Sequence, residues 1–205
     1  MSKKVKEKLI IFTRYPEPGK TKTRLIPMLG IEGAAKLHRQ LTEGTIWQAK
    51  QLLIHEFCIE VYFTGGTKKL MLEWLGNEII YENQVTGNLG EKMAAAFQIS
   101  FNSGMEKVVL IGTDCPNLNA DLMAKAFEEL DGHDLVFGPA LDGGYYLIGL
   151  RRFVPEIFRG INWGTAEVLG QSVAIAQNLN LAIAYLPPLA DIDRPEDLAI
   201  LDLKY

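Results

Sequence analysis

The residues best suited to chemistry fall in four short stretches of this 205-residue chain. The first runs Arg14-Tyr15-Pro16-Glu17-Pro18-Gly19-Lys20-Thr21-Lys22-Thr23-Arg24. Pro16 and Pro18 stiffen it, and Gly19 lets the backbone approach a ligand closely. Arg14, Lys20, Lys22 and Arg24, with the hydroxyls of Thr21 and Thr23, can donate to phosphate oxygens. Each charge-assisted hydrogen bond contributes about 1.5–3 kcal/mol, so a few would hold a nucleotide diphosphate. Gly19-Lys20-Thr21 is not a Walker loop, because Arg14 stands where that pattern requires a glycine. A single glycine also rules out the Rossmann fingerprint. The plain alternative is a solvated basic loop.

The second stretch is Gly112-Thr113-Asp114-Cys115-Pro116. Asp114 there suits a magnesium or manganese ion bridging two phosphates, or else a helix cap or turn. The third is Pro139-Ala140-Leu141-Asp142-Gly143-Gly144-Tyr145-Tyr146, which reads as a tight turn whose tyrosine pair either floors a sugar or acceptor pocket or packs in the core. The fourth is Asp191-Ile192-Asp193-Arg194-Pro195-Glu196-Asp197-Leu198. Pro195, Glu196 and Asp197 suit the start of a helix, whereas Asp191 and Asp193 are not needed for it and can complete a metal site with Asp114. His38, His55 and His133 lack metal-ligand spacing and are read as incidental; no serine sits in a nucleophile elbow.

The elements that must position these stretches alternate. Leu9-Ile10-Ile11-Phe12 reads as a first strand, buried on both faces of a parallel sheet, and ends at the basic loop. A long helix is predicted from Ile31 to about Leu53, with Gly30 just before it. Ile59 to Phe63, residues 79–81 and residues 135–137 read as strands, with helices over 68–75 and 90–103. Lys107 to Gly112 is the central strand, running through the acidic turn into a stripe of Leu118, Leu122, Ala126 and Leu130. An extended segment at 145–150, a helix near 165–178, a strand at 181–186 and a last helix after Pro195 follow. This order predicts an α/β fold, a three-layer α/β/α sandwich with a mostly parallel sheet. Neither repeat nor linker is evident, so one domain over residues 1–205 is expected.

Composition bounds the rest. Hydrophobic residues make up 48% and charged residues 22%, which excludes a disordered or low-complexity chain. The net charge of -4 hides a local +6 over residues 1–24. A globally acidic chain does not suit nucleic acid, but a small basic loop suits one phosphorylated ligand. Lys3, Lys4 and Lys6 read as a solvated terminus. No apolar run is long enough to insert in a membrane and no cleavable leader is evident, so a cytoplasmic protein is expected. Cys58 and Cys115 fit neither a disulfide framework nor a zinc site.

Taken together, Phe12 through Lys20 with Lys22-Thr23-Arg24-Leu25, Gly87-Asn88-Leu89-Gly90-Glu91-Lys92-Met93, Asp114-Cys115-Pro116, Gly138-Pro139-Ala140 with residues 142–146, Ile161-Asn162-Trp163 and Asp191-Ile192-Asp193 carry a resemblance. The chain resembles a bacterial family of candidate glycosyltransferases associated with radical-SAM and selenium-domain proteins and with arsenosugar biosynthesis. That family is similar in fold to the nucleotide-diphospho-sugar transferases, shared by A-type glycosyltransferases and sugar nucleotidyltransferases. The resemblance implies a nucleotide over the first strand's exit, contacted by Arg14, Gly19, Lys20, Lys22, Thr23, Arg24, Gly87 and Gly90. It implies a divalent cation, Mg2+ or Mn2+, on Asp114 and Asp193, with Asp191 the second choice. Asp142, Gly143, Gly144, Tyr145 and Trp163 would face the substrate. Two departures stand out: Asn88 replaces the usual aspartate of the glycine-flanked loop, and Gly164 intervenes between Trp163 and the hydroxyl of Thr165.

The expected reaction is glycosyl transfer to a small-molecule acceptor, with Lys20, Arg24 and metal neutralising the departing nucleoside diphosphate and Asp142 deprotonating the acceptor. The alternatives are nucleotidyl transfer from a nucleoside triphosphate with loss of pyrophosphate, and a non-catalytic nucleotide-binding module. The loop lacks the several glycines of nucleotidyltransferases, which favours the first.

Overall fold

Branched and aromatic runs of three to eight residues build the sheet, and the computed structural model describes residues 6–52 and 57–202. The strands are β1 (Glu7–Arg14), β2 (Cys58–Thr64), β3 (Ile80–Asn83), β4 (Lys107–Ile111), β5 (Leu135–Pro139), β6 (Tyr145–Leu150) and β7 (Ile183–Tyr185). They form one sheet in the order β3-β2-β1-β4-β6-β5-β7. Only β6 runs against its neighbours β4 and β5; the other pairs are parallel. The short turn from Pro139 to Tyr145 leaves no room for a crossover helix, so β5 and β6 must pair as a hairpin.

Helices α1 (Ile26–Lys50), α2 (Lys68–Leu75), α3 (Leu89–Asn102), α4 (Ala120–Glu129), α5 (Val168–Asn178) and α6 (Ala199–Asp202) supply the outer layers. Gly30 interrupts α1 at φ 71°, so the long helix effectively starts after it, as the sequence pattern predicts. The predicted end at Leu53 lies outside the described residues, as do His55, Lys3 and Lys4. Lys6 is exposed and pairs with Glu106. Pro195 opens a short 3-10 turn before α6 rather than an α-helix.

Alternation along the strands makes the three layers. Leu9 and Ile11 of β1 join α1, α2 and α4 through Ile46, Met71 and Phe127 on one face. Ile10 and Phe12 join α3 and α5 through Phe97 and Ala176 on the other. Both faces of β1 and β4 are buried, which explains their unbroken apolar runs.

The chain leaves β1 toward β2 and β3, then returns through α3 to place β4 on β1's opposite side. Strand order therefore reverses between β1 and β4, and in open α/β sheets a crevice opens at that point beyond the carboxyl ends of the strands. The basic loop leaves β1 and Asp114 follows β4 at this crevice.

Candidate active site

Beyond the ends of β1 and β4 lies a cleft of about 470 Å³. Its wall contains Arg14, Lys20, Lys22, Thr23 and Arg24 from the basic loop, Asp114 from the β4 exit and Asp193 from near the carboxyl end. These side chains come from segments as much as 179 positions apart and meet only in the fold.

The loop holds its shape through its own contacts. The Tyr15 amide donates to Thr64 O at 2.9 Å, and the Tyr15 ring packs edge-on to Trp74, 5.9 Å between centroids. Gly66 makes this possible, because a Cβ there would lie 2.7 Å from the Tyr15 ring. Gly19 turns the chain at φ 78°, off the wall of the cleft. The buried Thr21 hydroxyl donates to Glu17 O at 3.0 Å and stays within the loop. Arg14 Nη1 donates to Lys20 O at 2.9 Å, closing the loop on itself, and exposed Lys20 pairs with Glu17 at 2.8 Å.

Lys22 behaves differently from its neighbours. It adopts a left-handed backbone at φ 48°, uncommon outside glycine, and its side chain is only 4% exposed. Its Nζ lies 2.7 Å from Asp114 Oδ1 and 4.0 Å from Asp193 Oδ1, and donates to Ile192 O. The Ile192 amide donates to Asp114 O at 2.9 Å, and Arg24 pairs with Asp193. One buried ammonium thus staples the basic loop, the β4 exit and the tail together. Lys22 is buried against its carboxylates, whereas Lys20 and Arg24, paired with Glu17 and Asp193, are largely exposed.

The tail links the acids. The tail bridges to Ala140 through Leu189, reaches Asp114 through Ile192 and ends against Arg24 through Asp193. Asp191 lies between, its carboxyl pushed above the usual carboxylate range by burial, then by the negative charges of Asp142 and Asp114. Asp142 and Asp191 stand off the cleft wall, toward the β5–β6 turn. Asp142 Oδ1 accepts the Gly144 amide at 2.8 Å, and Gly143 at φ 92° passes so close to Ala166 that a Cβ would lie 2.3 Å from its carbonyl oxygen. Both features of the tight turn are therefore present. Among the described residues there is no group of three His, Cys, Asp or Glu side chains placed to hold a metal.

Several expected contact residues are turned elsewhere. Tyr145 points into the α5 layer, 5.2 Å from the Phe137 ring centre and 6.4 Å from Trp163, with its hydroxyl buried. Tyr146 faces the opposite layer and donates to Pro187 O at 3.0 Å. Gly90 is buried on α3, where a Cβ would strike Phe158 O at 2.6 Å and the Trp163 indole at 2.7 Å. Gly87, at φ 130°, leads into a capping box in which Asn88 and Glu91 bond each other's backbone amides. Asn88 thus fills a helix-capping role that an aspartate performs equally well. Leu89 of this segment reaches the cleft; Gly87, Gly90, Gly143, Gly144, Tyr145 and Trp163 do not line it.

Sequence reasoning missed His38, Thr13, Thr113 and Gln84, all on the cleft wall. Gln84 Nε2 donates to Tyr62 O at 3.1 Å and lies 3.4 Å from Thr13 O, fixing its amide at the ends of β1 and β2. His38 is buried, its imidazole held below the usual histidine range chiefly by burial. The signal was legible: His38, Thr42 and Thr45 put polar groups at helical spacing on the face of α1 that also buries Leu37 and Leu41.

A mostly parallel sheet with one antiparallel strand, and a cleft at its switch point, is the architecture of nucleotide-diphospho-sugar transferase-like proteins, and the chain is a transferase of that broad class. The chain belongs to the bacterial family described as "Uncharacterized protein conserved in bacteria (DUF2064)", whose pattern matches residues 48–165. It is 35% identical to a candidate nucleotide-diphospho-sugar transferase from Desulfovibrio desulfuricans G20, over 96% of this chain and 86% of that one, with a TM-score of 0.91. A nucleotidyl transferase from Methanothermobacter shares the fold at 13% identity, TM-score 0.66, covering 95% of each chain. So does glucosyl-3-phosphoglycerate synthase from Mycobacterium tuberculosis in complex with Mg2+ and UDP, at 14% identity and TM-score 0.57, over 96% of this chain and 74% of that one. No curated protein matches the chain. No described helix is long and apolar enough to cross a membrane.

Proposed function

We propose that the chain, acting as one domain, is a metal-dependent glycosyltransferase that takes a nucleotide-diphosphate sugar as donor and a small molecule as acceptor. The observation that carries this reading is the meeting of Lys20, Lys22 and Arg24 with Asp114 and Asp193 in one cleft at the β1–β4 switch point. The 35% identity to a candidate nucleotide-diphospho-sugar transferase supports it. The association with radical-SAM chemistry and arsenosugar biosynthesis belongs to the same proposal and bears on the acceptor.

Asp114 and Asp193 fit a divalent ion: they offer hard carboxylate oxygens, partly exposed, on either side of a position already favourable to positive charge. When bound there, the ion supplies Lewis-acid neutralisation of the diphosphate. Lys20 and Arg24 donate to the diphosphate oxygens and stabilise charge on the leaving group. Lys22, buried between the acids and the loop, adds a third positive charge to this wall. The bond from the anomeric carbon to diphosphate oxygen breaks with its electron pair on the diphosphate, while the acceptor oxygen bonds that carbon and its proton passes to Asp142. Asp142 lies exposed in the β5–β6 turn, the side from which an acceptor would approach in this reading.

The deciding experiment offers the protein a panel of sugar nucleotides and nucleoside triphosphates with manganese and identifies the product. Nucleoside diphosphate from a sugar nucleotide is expected. Pyrophosphate from a triphosphate overturns glycosyl transfer in favour of nucleotidyl transfer, and no turnover with any donor favours a binding module.

A further inference from the structure

The polar contacts on the inner wall of the cleft form a compact knot that the proposed reaction does not use. His38 of α1 is 6% exposed, and its Nε2 lies 2.9 Å from the main-chain oxygen of Arg14. A carbonyl only accepts, so Nε2 carries the proton and donates. The Thr13 hydroxyl sits 3.4 Å from the same nitrogen, 3.1 Å from the Thr42 hydroxyl and 3.4 Å from that of Thr113. Thr42 and Thr113 are themselves 3.4 Å apart, and all three threonines are buried.

This arrangement is more than a satisfied core histidine. Thr13 and Arg14 are the last residues of β1, where the basic loop departs, and Thr113 immediately precedes Asp114. The knot therefore joins the root of the cationic loop, the root of the acidic turn and a rigid helix. Arg14, whose carbonyl His38 holds, also closes the loop through its side chain onto Lys20 O. Its backbone orientation sets where residues 20–24 lie.

We propose that His38 is a positioning residue for the phosphate-binding loop, acting through the Arg14 carbonyl and the Thr13–Thr42–Thr113 hydroxyls. The inference rests on the reading that residues 14–24 receive a diphosphate. It requires a proton on Nε2, donated to the Arg14 carbonyl, and no proton transfer to substrate.

Two variants test it. His38→Leu keeps bulk but leaves the Arg14 carbonyl without its donor; His38→Gln places an amide N–H near the same position. Inorganic pyrophosphate with manganese is the probe, since it carries the diphosphate without a base or sugar. Titration calorimetry is expected to show His38→Leu binding it about 10-fold more weakly than the parent, with His38→Gln within about 3-fold. In the apo proteins, backbone hydrogen exchange over residues 14–24 is expected to rise in His38→Leu and not in His38→Gln, while the β4 and β5 amides stay protected. Unchanged exchange over 14–24 in His38→Leu overturns the proposal, as does equal loss in both variants. If the parent binds no pyrophosphate, the diphosphate reading fails and the exchange result alone decides whether His38 orders the loop. With a donor in hand, the effect is expected in KM more than in kcat.

Discussion

Lys22 sets one buried ammonium against two carboxylates. It neutralises Asp114 and Asp193 from a position 4% exposed, so a divalent ion held by those acids, as proposed, would compete with the ammonium. Lys22→Met is therefore expected to raise manganese affinity in the absence of nucleotide and to lower nucleoside diphosphate affinity, two opposite shifts that calorimetry reads separately. Asp191 makes a second case. Burial and the charges of Asp142 and Asp114 raise its carboxyl, so the folded chain holds that proton more tightly than the unfolded chain does. Ionised Asp191 then opposes folding at neutral pH, and Asp191→Asn is expected to raise the melting temperature at pH 7, an effect that vanishes as pH falls below the usual carboxylate range. His38 has the opposite sign. Its value lies below the ordinary 6.5, so the unfolded chain takes up a proton first. Its contribution is present above 6.5 and lost as pH falls through the folded value. On going from about pH 7.5 to about pH 5.5, the parent should lose more melting temperature than His38→Gln.

At the scale of elements, one glycine-flanked segment, residues 87–90, acts through packing and capping. Gly90 lets α3 lie against Phe158 and the Trp163 indole, and no side chain fits there without displacing backbone. Gly90→Ala is expected to cost about 1–3 kcal/mol through overpacking, a melting-temperature drop of several degrees in thermal denaturation. Asn88 caps the same helix, so Asn88→Ala should cost about 1 kcal/mol while Asn88→Asp costs nothing measurable. If Asn88→Asp instead gave a large rise in manganese affinity, the segment would be a metal-binding loop and the capping account insufficient. The helices' identity was legible because α2, α3 and α4 bury periodic apolar faces. The inward turn of Tyr145 and the role of Gly90 were not, since a turn sequence does not say which layer its neighbours enter.

For the whole molecule, the switch point between β1 and β4 gathers the chemistry. A ligand bound at 100 times its dissociation constant stabilises the native state by about 2.7 kcal/mol, so a correct nucleoside diphosphate with manganese should shift the melting temperature upward by several degrees. Asp114→Ala should abolish the manganese-dependent part of that shift. The amino-acid sequence by itself determined the alternation of elements, the three layers, and the three stretches that carry the cations and acids of the cleft, because apolar periodicity and turn chemistry are local properties. It also carried the likeness to nucleotide-diphospho-sugar transferases. What only the tertiary structure decided is which charges face one another: that Lys22 turns to the acids, that Asp191 stands between Asp142 and Asp114, and that His38 lies beneath the loop. Such pairings join residues up to 171 positions apart, and their distances follow from sheet order and helix packing, which no spacing along the chain encodes.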